Sequence, residues 1–144
     1  MKNKSQRILV GLDGSVESLK ALDKAIELAY SNQAELVIAH IIDLRSFSTA
    51  ASLDPEWADA HQQGAEKFLN DFAQEAKDAG IHSVKTVLEM GAPKVLLSTT
   101  IPQKEAIDLI VIGATGMSRL ERILMGSVSQ YIIGHSLCDV YVVR

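Results

Sequence analysis

Gly113, Gly116, Gly126 and Ser127 stand at a fixed spacing, Gly-x2-Gly-x9-Gly-Ser, within the run GATGMSRLERILMGSVSQ. The run begins where the apolar stretch DLIVI ends, which puts these glycines at the C-terminal mouth of a buried strand. Glycine lets the backbone approach a ligand closely and adopts φ > 0 without steric cost. Amides left free by such a loop, and by the helix that follows it, form an anion cradle. The chemistry that fits is phosphate binding, and on a small α/β domain phosphate points to a nucleotide.

A second cluster, GLDGS at 11–15, closes the first apolar run of the chain. Asp13 at that mouth suits ribose hydroxyls, which supply the donors a carboxylate needs beside phosphates. The alternative for Asp13 is a helix N-terminal acid next to Ser15 as the cap. Gly11 would clear space for a flat base, with Ile41 and Ile42 along its face or simply in the sheet core. Ser127 and Gln130 match a capping box, as do Ser118 and Glu121. Each would open a helix whose first N–H groups and positive dipole end are available to an anion. Ser127 and Ser129 bring hydroxyls to the same turn. Arg119 could reach a β- or γ-phosphate, whereas Arg122 reads as a surface partner of Glu121. Thr115 touches a phosphate or only turns the chain.

Absent patterns narrow the field. There is no G-x-x-x-x-G-K-[ST] phosphate loop and no G-x-G-x-x-G after the first strand. His40, His61, His82 and His135 share no metal-ligand spacing, and the lone Cys138 reads as a small core residue. No paired acid and base stands out, so no catalytic residue and no metal-ligating set is assigned.

The elements that must hold these clusters alternate along the chain. Strands are expected at 7–12, 35–42, 84–90, 108–113 and 139–144, the third more exposed than the rest. A first helix follows Ser15, with Leu19, Leu22, Ala25, Ile26 and Ala29 at helical spacing. A long one runs from Pro55 to Ala79 on a stripe of Ala65, Phe68, Leu69, Phe72, Ala76 and Ala79, until Gly80 stops it. Gly91 serves a strand-to-helix turn. A third helix opens at Pro93 and is expected to end or kink at Pro102. A fourth spans about Val128 to His135. Strands alternating with helices imply a parallel sheet covered on both faces and doubly wound. Residues 44–53 form the one long polar connection, on the same edge as the glycine loop, either a flap over it or a plain surface loop.

The totals agree with one globular domain over residues 1–144. The chain is 47% hydrophobic and 22% charged, which is not a disordered composition. A net charge of −4 with no basic block argues against nucleic acid. The apolar runs are too short to span a bilayer. MKNKSQR leads straight into a strand with no signal-peptide core, and one cysteine forms no intrachain disulfide, so the expected location is the cytoplasm.

ILVGLDGS, DLIVIGATG, the spaced glycines with Ser127, and the terminal VYVVR resemble the universal stress protein family over about residues 5–144. The spaced-glycine motif resembles that of the family's ATP-binding branch. The resemblance implies a five-stranded parallel sheet of order 3-2-1-4-5 with helices on both sides. It implies that Asp13 contacts ribose, that the backbone near Ile41 or Ile42 contacts adenine, and that Gly116, Gly126, Ser127, Val128 and Ser129 hold phosphates of ATP with Mg²⁺. The full nucleotide-binding set expected is Gly11, Asp13, Ser15, Ile41, Ile42, Gly113, Thr115, Gly116, Arg119, Met125, Gly126, Ser127, Val128 and Ser129. It further implies a homodimer through the last strand, which would be an exposed edge guarded only by Arg144. Thr115 stands where the family often has His, and Asp139 where it often has Pro. The function so implied is a nucleotide-dependent stress or signalling protein. A slow ATPase, or a binder of AMP or a cyclic nucleotide, are the alternatives.

Overall fold

The computed structural model describes residues 6–43, 54–114 and 125–144. Strands β1 (Arg7–Leu12), β2 (Glu35–Ile42), β3 (Val84–Met90), β4 (Leu109–Gly113) and β5 (Asp139–Val143) form one sheet in the order β3-β2-β1-β4-β5. Every pairing is parallel, with Gly11 opposite Ala39 and Gly113 opposite Val143. The expected sheet order is therefore the one observed. β4 begins one residue later than expected. Asp108 is held instead at the start of β1: its side chain accepts from the Arg7 N–H, and its own N–H donates to the Arg7 carbonyl.

Helix α1 (Val16–Asn32) starts where Ser15 accepts a hydrogen bond from the Ser18 N–H, so the expected cap is present. Helix α2 (Pro55–Asp78) is capped by Asp54. Beyond it Gly80 takes φ +104°, a left-handed value that favours glycine and ends the helix. Ala65, Leu69 and Ala76 are buried as the stripe requires, but Ala79 is exposed, since it already lies past the last helical turn.

Helix α3 corrects one expectation. It is built of an α-turn (Pro93–Val95), a π-turn (Leu96–Thr100) and a further α-turn (Ile101–Lys104), so Pro102 does not end it. The Ile101 N–H reaches back five residues to the Leu96 carbonyl. Widening the helix just ahead of Pro102 makes room for a residue that carries no N–H and whose ring crowds the preceding turn. Helix α4 (Ser127–His135) then packs beside β5.

The pleat sends alternate strand residues to opposite faces. On one face Ile8, Val10, Leu36, Ile38 and Val111 meet α1 and α2 through Leu22, Ala25, Leu69 and Ala76. On the other, Leu9, Val37, Ile110 and Ile112 meet α3 and α4 through Leu97, Ile101 and Ile132. Two covered faces explain the unbroken Val, Ile and Leu of the inner strands. β3 and β5 are the edges, and their half-exposed residues fit that place.

The rim at the N-terminal ends of the strands is tied by charge. Glu105, only 8% exposed, accepts from Lys85 Nζ at 2.8 and 3.1 Å and from Arg7 at 3.5 Å. Arg7 Nε also lies 2.7 Å from Glu35 Oε1, as an ion pair too bent to be a hydrogen bond. Together these bind β1, β2 and β3 to the α3–β4 connection.

Candidate functional site

In an open parallel sheet the ligand crevice lies past the C-terminal strand ends, where the strand order reverses. Here the strands are added outward from β1 through β2 to β3 on one side and through β4 to β5 on the other, so the reversal of order falls between β1 and β4. The two clusters picked out in the sequence are the segments that leave these two neighbouring strands.

After β1 the chain makes a tight turn. Asp13 Oδ1 accepts from the Ser15 N–H at 2.9 Å and from the Ser15 hydroxyl at 2.5 Å, while the Asp13 N–H donates to Ser18 Oγ at 3.3 Å. Gly14, at φ +84°, closes the turn. The Asp13 carboxylate is exposed at the mouth and at the same time braces the start of α1, which is the alternative that the sequence left open.

After β4, Ala114 points to the start of α4. The Gly126 N–H donates to the Ala114 carbonyl at 2.9 Å, and the Ala114 N–H donates to the Val143 carbonyl at 2.8 Å. Gly126, with φ −66° and ψ 161°, is the N-cap of α4. The capping box expected at Ser127 and Gln130 is therefore not formed. Ser127 is already the first helical residue, and Gln130 Nε2 donates to the Met125 carbonyl at 2.8 Å. The Gly126 amide is spent on a carbonyl, so the donors that α4 presents are the first-turn amides of Ser127, Val128 and Ser129. Ser127 and Val128 are exposed. Ser129 is 6% exposed, and its hydroxyl donates to the Gly113 carbonyl at 2.6 Å, so it is an anchor of the helix rather than a ready phosphate donor.

The structure also places Ile41, Ile42, Gly11 and Gly113. Ile41 belongs to the face of α3 and α4, whereas Ile42, one residue on, points to the other face, so they do not flank one flat ring together. The space beside Gly11 is not open: a Cβ there would meet Leu97 Cδ1 at 3.0 Å. At Gly113 a Cβ would lie 2.9 Å from the Glu17 carbonyl oxygen, so this glycine admits α1 against the end of β4. Thr115, Gly116, Arg119, the Ser118–Glu121 pair, Arg122 and the connection 44–53 lie outside the described residues.

One feature of this end of the molecule was not anticipated. His40, on β2, holds its Nδ1 at 2.7 Å from the Leu12 carbonyl and packs against Phe68 with ring centroids 5.3 Å apart. His40, His61, Phe68, Asp13 and Gly14 line a cavity of about 380 Å³ over the first half of α2. The signal in the sequence was the small residues Ala60, Gly64 and Ala65 opposite an in-facing His40, legible only once α2 is laid on β2.

The profile of the universal stress protein family matches residues 4–144. The chain belongs to the universal stress protein family. A putative universal stress protein of Staphylococcus haemolyticus is 37% identical over 139 residues, 96% of this chain and 84% of the relative. The solved universal stress protein UspA from Lactobacillus plantarum superposes with TM-score 0.83 at 30% identity, over 99% of this chain and 100% of that one. A universal stress protein solved in complex with cAMP superposes with TM-score 0.73 at 30% identity, over 96% of this chain and 97% of that one. Among the described residues of this universal stress protein, no helix is long and apolar enough to cross a membrane.

Proposed function

We propose that this universal stress protein binds ATP at the reversal between β1 and β4 and acts as a cytoplasmic, nucleotide-dependent signalling protein. The observation that carries the reading is the meeting of two chain segments at that point. One brings the exposed carboxylate of Asp13, and the other the first-turn amides of α4 beside the spaced glycines.

The residues present fit the ligand. The N-terminus of a nine-residue helix favours a phosphate through its amides and its dipole. Asp13 Oδ1 is engaged by Ser15, and its carboxylate faces solvent where ribose hydroxyls would donate. Thr115, Gly116 and Arg119 enter as further phosphate contacts on the strength of the motif alone. Mg²⁺ would come with the nucleotide, because that ion is commonly held by substrate phosphates and few protein groups. Partners would read the conformation that bound ATP favours.

Equilibrium dialysis with ATP and Mg²⁺ tests the reading, and saturable binding is the expected result. Gly126→Asp is the decisive variant. Aspartate is a good N-cap and Gly126 has backbone angles open to any residue, so the fold should stand while a new negative charge repels phosphate. ATP binding as tight in Gly126→Asp as in the unaltered protein would defeat the assignment.

The neighbour solved with cAMP supports a second reading, in which this site takes a nucleotide with a single phosphate. Competition dialysis of ATP against cAMP and AMP separates the two. The β5 edge, with Tyr141 and the 87% exposed Leu137 beside it, supports a homodimer through residues 139–144. Sedimentation of a monomer at every concentration would remove that part.

A further inference from the structure

The cavity over α2 lies on the other face of the sheet from α4. His40 alternates with Ile38 and Leu36 on the face covered by α1 and α2, and Phe68 packs on that same core. Helix α4 packs on the opposite face through Ile132. The cavity and the nucleotide mouth therefore touch only around Asp13 and Gly14.

Its volume, about 380 Å³, is within the range of small-molecule sites. The room comes from α2 itself. Ala60, Gly64 and Ala65 line the helix side, and a Cβ built on Gly64 would meet nothing within 4 Å. One side is aromatic: Phe68 is held edge-on by Phe72 at 5.1 Å and tilted against His40 at 5.3 Å. At the rim His61 stacks on Trp57 at 5.2 Å.

The polar lining has one sign of chemistry. A carbonyl oxygen only accepts, so His40 Nδ1, at 2.7 Å from the Leu12 carbonyl, carries a proton, which leaves Nε2 as the acceptor of the Nδ1–H tautomer. Asp13 adds a carboxylate, and among the described residues neither Lys nor Arg lines the space. Such a lining disfavours an anion. It favours a ligand that brings N–H donors, a positive charge and a flat apolar body. Among the described residues no three His, Cys, Asp or Glu side chains converge as a metal site, so the occupant sought is organic.

We propose that this cavity is a second ligand site, selective for a small planar organic cation of the amidine or aminoheterocycle class. The ring would lie along Phe68 and His40, and its N–H groups would face Asp13 and His40 Nε2. The site uses neither the glycine loop nor α4, and it shares Asp13 with the nucleotide reading.

Benzamidine is the probe and benzamide, the neutral isostere, its control. The full-length protein is titrated with each while the ring proton signals of His40 and His61 are followed by NMR. The expected result is saturable movement of both with benzamidine, and binding of benzamide at least about tenfold weaker. Gly64→Leu fills the space from an open position on a helix that leucine suits, so it should fold and lose the benzamidine response. ATP dialysis on Gly64→Leu keeps the two sites apart, with nucleotide binding expected to be unchanged. No saturable shift with benzamidine, equal affinity for benzamide, or an undiminished response in a folded Gly64→Leu would each overturn the proposal.

Discussion

The Ser129 hydroxyl donates to the Gly113 carbonyl across 2.6 Å, and so pins the first turn of α4 to the last residue of β4. The bond is almost dry, because Ser129 is buried. It fixes the direction in which the amides of Ser127 and Val128 look out from the mouth. Ser129→Ala removes it and leaves the Gly113 oxygen without this donor, which should cost about 1–2 kcal/mol. Urea unfolding measures this. Ser127→Ala, at an exposed first-turn position, should lie within about 0.5 kcal/mol of the unaltered protein. Equal losses at the two serines would contradict the anchoring role.

Gly113 and Gly11 should respond differently to the same added methyl. At Gly113 the nearest atom is the Glu17 backbone carbonyl at 2.9 Å, which cannot move without shifting α1. At Gly11 it is the tip of Leu97 at 3.0 Å, a side chain that can turn aside. Gly113→Ala is expected to lose about 2–3 kcal/mol and Gly11→Ala roughly 1 kcal/mol or less. Thermal unfolding of the pair, side by side, checks the order.

The charged tie at the far rim makes a further prediction. Glu105 is buried and its two carboxylate oxygens serve Lys85 and Arg7. Glu105→Gln keeps the shape and removes the charge, leaving two cations with a weaker acceptor. A loss of about 1–2 kcal/mol is expected, moderated because Lys85 is itself half exposed. The mouth between β1 and β4 should be unaffected, and ATP dialysis on this variant tests that separation.

Cys138 should be a sluggish nucleophile. Burial pushes its thiol up from the ordinary value, with the negative charges of Asp139 and Asp108 adding to the rise. At a given pH below that raised value, less thiolate is present than on a free cysteine, so alkylation by iodoacetamide at about pH 8 should run slower than for a free cysteine standard. A rate equal to the standard would contradict the packing of Cys138 against the core of Leu9 and Ile110.

The sequence pattern reached the scaffold more fully than the site. Runs such as RILVGL and ELVIAHII mark their strands to the residue, because a parallel sheet covered on both faces demands unbroken apolar stretches. Ser15 was legible as a cap because its hydroxyl acts within three residues. What the sequence left illegible depended on distant partners. A glycine at a strand end looks the same whether a phosphate or a helix approaches it, and only the position of Glu17 shows that Gly113 makes way for α1. Ser127 looked like a cap, but Gly126 took that place once its amide was drawn to Ala114. Pro102 was expected to end or kink its helix, and a π-turn just ahead of it carries the helix on to Lys104. The cavity beside His40 needed α2 and β2 laid together, although their residues are some twenty positions apart in the chain.

An all-parallel sheet sends every strand the same way, and that has an architectural outcome here. The ionic clamp of Arg7, Glu35, Lys85 and Glu105 sits at the floor of the molecule, while the cavity beside His40 and the mouth between β1 and β4 lie at its roof. Loops on the roof can be rewritten for a new guest without loosening the floor, which makes this chain a practical chassis for engineered small-molecule receptors.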